Sequence, residues 1–250
     1  MYLTRKNLNL CIIIYMIEQG GMNMCTSFIY NGKKTLVGWN LDILDMEYRV
    51  HATNQGVYIE IYDQKEGWLP LFGANQRGDF VAMPTCWPYD QRSEPQDNEY
   101  NILQLDIDLL LQRISFEDVK RIVASSSICS VPQVTFQSQL SDAQGNVLQI
   151  IPGQGFLYKQ KPRLSVLTNF SPFKGDKEKH PWMGWDRYQT AISLLENSDN
   201  SLDVEQCFDI LKVTSQTICP TVVSMVFDVN ERHVYWCEQR QWNQRKDQQL

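Results

Sequence analysis

The chain has 250 residues, 43% of them hydrophobic, with a net charge of −6 and a pI near 5.1. That is ample material for one enzyme-sized core, and no apolar run is long enough for a bilayer span. The acidic balance, with no basic cluster longer than Lys33-Lys34 or the scattered Lys174 to Lys179 stretch, argues against nucleic acid or an anionic membrane as partner.

In chain order, Thr26 to Tyr30 reads as a strand, Asn31-Gly32 as a hairpin turn, and Thr35 to Trp39 as the returning strand. Val57 to Tyr62, Leu69 to Phe72 and Phe80 to Pro84 are further strands, the last two joined across Gly78-Asp79. Two helices follow, Ile102 to Gln112 and Ser115 to Ser125, with Ser115 able to cap the second. A second hairpin has arms Gln133 to Leu140 and Val147 to Ile151, and Leu164 to Thr168 is a strand that runs into Asn169. Helices at Asp186 to Glu196 and Val204 to Thr214 precede a closing pair, Thr221 to Asp228 and His233 to Cys237, turning at Asn230. This order suits a layered α+β sandwich, and no internal repeat or low-complexity linker marks a second domain.

The seven cysteines, Cys11, Cys25, Cys86, Cys129, Cys207, Cys219 and Cys237, form no Cys-x-x-Cys pair, and His51, His180 and His233 stand apart from them in sequence. No zinc pattern results, and no metal or cofactor is expected. An odd, dispersed set of thiols fits reduced, buried cysteines in a cytoplasm better than a secreted disulfide framework.

Met24-Cys25-Thr26-Ser27 carries the chemistry. If the methionine is removed, Cys25 bears both a thiol and a free α-amine, and the amine can take the thiol proton without a separate histidine. The residues ahead of it have three readings. Arg5 and Lys6 before the apolar run Leu8 to Ile17 resemble a signal peptide, but Glu18-Gln19-Gly20-Gly21 offers no small-x-small cleavage site. An autocatalytic propeptide is the second reading. The third and favoured reading is translation from Met24, because Gln19-Gly20-Gly21 can be encoded by a purine-rich ribosome-binding sequence just upstream of that codon. Residues 1–24 are then absent from the active form, and residues 25–250 make a single domain.

Several segments, in order, resemble the cholylglycine hydrolase and penicillin V acylase family of N-terminal nucleophile hydrolases. They are Met24-Cys25-Thr26, Asn40-Leu41-Asp42 at the end of the second strand, Leu167-Thr168-Asn169, Asp186-Arg187-Tyr188 at a helix start, and the closing Thr221 to Trp236 hairpin. The resemblance implies a four-layer αββα sandwich and a hydrolase of linear non-peptide amide C–N bonds. It implies Cys25 as nucleophile, Asp42 holding its protonated α-amine, Asn169 as an N–H donor to the tetrahedral oxyanion, and Arg187 near the thiolate and the substrate carbonyl. Conjugated bile salts, penicillin V, N-acyl lactones and N-acyl amino acids all fit as substrates. An acyl pocket lined by residues such as Trp39, Phe80, Trp87 and Tyr89 would take the apolar side. An acyltransferase of the same superfamily and a non-catalytic ligand-binding descendant remain as alternatives.

The chain departs from the family at three points. Trp39 stands where an arginine usually lies beside the nucleophile, so a cation that lowers a thiol's pKa is missing. Thr85 falls near an oxyanion-hole asparagine, and its hydroxyl and backbone could partly substitute. The stretch from Asn169 to Arg187 is shorter than in the bile-salt enzymes, so a homo-oligomer is possible but its form does not carry over.

Overall fold

The computed structural model describes residues 24–86, 99–130, 135–173 and 184–250. Two antiparallel sheets stack face to face, and each is covered by a pair of helices on its outer side. The first sheet is built on the expected hairpin, β1 (Thr26–Asn31) and β2 (Thr35–Asp42). In the second sheet come β3 (Tyr48–Ala52), β4 (Gly56–Asp63), β5 (Gly67–Asn75) and β6 (Phe80–Ala82). A short parallel pair, β7 (Glu99–Asn101) and β8 (Ser127–Cys129), flanks helices α1 (Ile102–Leu110) and α2 (Phe116–Ser125). The strands β9 (Ser138–Ser141), β10 (Val147–Ile151) and β11 (Gly155–Lys159) complete the second sheet, and β12 (Leu164–Leu167) returns to the first. Helices α3 (Trp185–Asn197) and α4 (Val204–Val213) then lead to β13 (Thr221–Asp228), β14 (His233–Glu238) and β15 (Lys246–Gln249). The strand orders are β12-β1-β2-β13-β14-β15 and β11-β10-β9-β6-β5-β4-β3.

Strand alternation explains the layers. On β1, Ile29 points into the space between the sheets while Phe28 and Tyr30 point outward to Ala191, Leu195 and Phe208 of α3 and α4. On β2, Val37, Trp39 and Leu41 face inward against the second sheet, and Leu36 faces the helices. Gly38 lies opposite Phe28 in the ladder, and a Cβ there would come within 2.2 Å of the phenyl ring, so the ring occupies the place of a side chain. The expected Ser115 cap is present as a full capping box, with Ser115 accepting from the Asp118 N–H at 3.1 Å and Asp118 accepting from the Ser115 N–H at 2.9 Å. The arm starting at Gln133 begins in the ladder only at Ser138, and residues 131–134 lie outside the described residues.

The space between the sheets is not uniformly apolar. Gln139 of β9 donates to Ser27 Oγ of β1 at 2.8 Å, Gln149 of β10 donates to Gln139 Oε1 at 2.8 Å, and Ser165 of β12 donates to the same oxygen at 3.0 Å. All four residues are buried. A hydrogen-bonded seam therefore crosses the sandwich at its β1/β12 end, beside the entry to β1, within an interface whose remaining buried residues are mostly apolar.

Candidate active site

Register assembles the site before any side chain is considered. β1 pairs β12 with Ser27 opposite Leu167, and continuing that ladder by two residues sets Cys25 against Asn169. β1 pairs β2 with Thr26 opposite Asn40, so the next step brings Met24 to Asp42. β2 in turn pairs β13 with Asp42 opposite Thr221, where a bulge between Thr221 and Val223 shifts the ladder. Cys25 thus enters β1 between two strand ends that carry Asn169 and Asp42.

The contacts follow from this placement. The Cys25 backbone N–H donates to Asn169 Oδ1 at 2.9 Å. Arg187, in the first turn of α3, reaches over the sheet end and donates through Nη1 to the Cys25 carbonyl at 2.6 Å and to Thr26 Oγ1 at 2.8 Å. Its Nη2 donates to Asn169 Oδ1 at 2.9 Å. Gly184, the left-handed residue before α3, allows this: a Cβ there would lie 2.3 Å from Arg187 Nη2. Both Asn169 Nδ2 bonds go to Thr85, one to its carbonyl and one to its hydroxyl, each at 3.0 Å. Asp42 takes Thr221 Oγ1 at 2.6 Å on one oxygen and Gln216 Nε2 at 2.5 Å on the other, with Arg187 Nη1 at 3.9 Å.

The structure brings Cys25, Asp42, Asn169 and Arg187 into one buried cluster. Burial pushes the Asp42 carboxyl up to about 7, against the pull of Arg187, Thr221 and Gln216 toward the charged form. The Cys25 thiol is raised well above its ordinary range, first by burial and next by the nearby Asp42 charge, while the Asp42 backbone N–H and Arg187 favour its thiolate.

Of the expected pocket residues, Trp39 and Phe80 are completely buried, and Trp87 and Tyr89 lie outside the described residues. Trp39 faces the inter-sheet core on the same side of the sheet as Cys25, its ring 5.6 Å from that of Phe72 and its indole N–H buried without a hydrogen-bond partner among the described residues. The alternation that turns Leu41 and Val37 inward turns Trp39 inward too. Asn40 is a tie to α4, donating to the Leu211 carbonyl at 2.8 Å and accepting from Ser224 Oγ at 2.7 Å.

Sequence reasoning missed two glutamines. Gln216, in the turn before β13, touches Asp42. Gln137 donates to the carbonyls of Thr168 and Phe170 at 2.7 and 3.2 Å, the residues on either side of Asn169. No short motif marks either one, because each acts from a different part of the chain. The six cysteines among the described residues are all buried, and among the same residues no group of three His, Cys, Asp or Glu is placed to hold a metal ion. No helix among them is long and apolar enough to cross a membrane.

No family model matches the chain, and no curated protein matches it by sequence. Solved structures do. A variant of conjugated bile acid hydrolase from Clostridium perfringens superposes with a TM-score of 0.64 at 15% identity, over 90% of this chain and 92% of that one. Penicillin V acylase from Agrobacterium tumefaciens gives 0.61 at 14% identity, over 86% and 83% of the two chains. The Caenorhabditis elegans ortholog of N-acylethanolamine-hydrolyzing acid amidase gives 0.53 at 16%, over 82% and 93%. With its two stacked sheets and outer helix pairs, the chain has the αββα sandwich fold of the N-terminal nucleophile hydrolases.

Proposed function

We propose that this protein hydrolyses linear non-peptide amides through Cys25 once Met24 has been removed. The observation that carries the reading is the meeting of Cys25, Asn169, Asp42 and Arg187 at one end of the first sheet. Loss of Met24 turns the Cys25 amide into an amine with a basic lone pair. Asn169 Oδ1, already the acceptor for that nitrogen, then orients the amine, and the Asp42 carboxylate stabilises it once it is charged.

The Cys25 thiol gives its proton to the α-amine as the sulfur bonds to the amide carbonyl carbon. The carbonyl oxygen takes the charge. An Asn169 Nδ2 hydrogen, turned from the Thr85 hydroxyl, donates to it, a contact whose loss typically costs roughly 100- to 1000-fold in rate. The ammonium then protonates the leaving nitrogen as the C–N bond breaks, and water activated by the same amine releases the acid from the thioester. Arg187 fixes Cys25 and Asn169 together from the outer face. Conjugated bile salts, penicillin V, N-acyl lactones and N-acyl amino acids share the required apolar acyl group and small polar amine.

A non-catalytic ligand-binding reading has one observation in its favour, the buried Trp39 in place of a cation that would lower the thiol's pKa. Amine release from a panel of acyl amides decides between the two. The chain is expressed from Met24, its free Cys25 terminus confirmed by mass, beside Cys25→Ser. Turnover abolished by Cys25→Ser is the expected result. No release on any amide, with Cys25 inert to iodoacetamide at neutral pH, overturns hydrolysis in favour of ligand binding.

A further inference from the structure

Gln216 stands outside every motif, yet its side-chain amide bridges two parts of the site. Its Nε2 donates to Asp42 Oδ2 at 2.5 Å and to the Met24 carbonyl at 3.4 Å, the carbonyl of the residue that must leave. The turn that carries it is closed on itself. The Gln216 N–H donates to Thr221 Oγ1 at 2.9 Å, the Thr221 N–H returns to the Gln216 carbonyl at 3.1 Å, and Arg240 Nη1 donates to that carbonyl at 3.4 Å. Thr221 Oγ1 passes its own hydrogen to Asp42 Oδ1 at 2.6 Å. One six-residue turn therefore supplies a neutral donor to each oxygen of the buried carboxylate, and the Ile43 N–H to Pro220 carbonyl bond, at 3.3 Å, pins that turn beside the end of β2.

We infer that Gln216 is a positioning residue of the Cys25 centre, which holds Asp42 in place and in its charged form once Met24 is gone. The inference rests on the hydrolase reading for its consequence in turnover but not for its effect on the thiol. A carboxylate removed from water keeps its charge only through donors and cations. The groups facing Asp42 are Arg187 from α3, Thr221 from β13, Gln216 from the turn, and the thiols of Cys25 and Cys219, the latter taking the Met24 N–H. Arg187 is shared with the Cys25 carbonyl, Thr26 and Asn169, and Thr221 serves the other oxygen. The Oδ2 atom that Arg187 approaches at 3.9 Å has Gln216 as its hydrogen-bond donor. When the Met24 carbonyl departs, the Gln216 amide keeps its bond to Asp42, and its second N–H faces the vacated space beside the α-amine.

The test uses the chain begun at Met24, with its free Cys25 terminus confirmed by mass, beside Gln216→Met and Gln216→Glu. The first keeps the length and removes the donor; the second removes the donor and adds a like charge. Iodoacetamide alkylation of Cys25 is followed against pH, together with kcat and KM for an amide that the wild type cleaves. Without the donor the carboxyl is harder to ionise, so the acid limb of both profiles moves to higher pH. The expected shift is about one pH unit for Gln216→Met, on the scale of a single charge-assisted hydrogen bond, and more for Gln216→Glu. KM stays within about twofold, because the amide does not orient the acyl group. Folded variants whose rates fall uniformly with no displaced limb, or do not change, overturn the inference and leave hydrolysis standing. A displaced alkylation limb in a protein that cleaves no amide sustains the inference and removes the hydrolase reading.

Discussion

Two fully buried carboxyls lie in opposite halves of the molecule, Asp42 at the end of the first sheet and Asp106 on α1 against the second. Both are pushed far above an exposed aspartate, to about 7 and about 8, and in both the first cause is burial. Their surroundings differ. Asp42 has a donor on each oxygen, a buried arginine at 3.9 Å and a thiol nearby. Asp106 accepts from Ser138 on one oxygen, while its other oxygen is buried with no hydrogen-bond partner. A shifted acidity alone therefore does not mark a site. What sets Asp42 apart is that its charged form has been provided for, whereas Asp106 is provided for only as the neutral acid.

The sharpest way to break the contrast is to take away the cation. Arg187→Leu leaves Asp42 without its positive partner and Cys25, Thr26 and Asn169 without their common donor. It is expected to cost roughly 3–5 kcal/mol in denaturant unfolding and to abolish turnover. Asp42→Asn keeps the shape and deletes the charge. We expect a roughly 100-fold fall in kcat/KM, and the wild-type acid limb near pH 7 should vanish from the rate profile. A variant that kept the limb would assign that ionisation to another group.

The other two changes act on Asp106 and leave the nucleophile alone. Between the ordinary value of 3.8 and about 8, the folded chain holds a proton on Asp106 that the unfolded chain has released, so stability falls as pH rises through that window. Asp106→Asn removes this dependence. Its expected gain is on the order of 3 kcal/mol at about pH 9 relative to about pH 5, read from urea midpoints at both pH values, with turnover unchanged. Ser138→Ala is the mildest. It removes the Ser138 hydrogen bond to the Asp106 carboxyl, drives that carboxyl higher, and should cost about 1–2 kcal/mol in the same titration.

How much of this could be read from the residues depends on where each interaction closes. The β1–β2 hairpin was legible because Asn31-Gly32 and the apolar alternation around it are local, and Asp42 was legible as the residue on which that hairpin ends. Strands β3 and β15 were not. Both lie at sheet edges: β15 is polar throughout and so lacks the alternation that signals a strand, while β3 does alternate, Tyr48 and Val50 against Arg49 and His51, but over a run of only five residues. The helix start at Asp186-Arg187 was visible, but the reach of Arg187 to Cys25 depends on Gly184 and on β12, far away in sequence. Gln216, Gln137 and Asp106 carried no local signal, because a glutamine in a turn and an aspartate in a helix are ordinary until the fold supplies their partners.

The seam of Gln139, Gln149, Ser27 and Ser165 bears on how the halves of the sandwich are aligned. Apolar faces resist being pulled apart, but they have little preference for one lateral offset over another, since oil against oil tolerates slippage. Directional amide bonds do not. The candidate site needs such an alignment, because Asn169 follows a strand of one sheet and bonds Thr85, which follows a strand of the other, while Gln137 grips the peptides around Asn169. A slip of one residue, about 3.3 Å, would part all of these bonds at once. The glutamines thus act as dowels between two plates, fixing the offset at which a thiol from one and an amide anchored to the other can act on the same carbonyl.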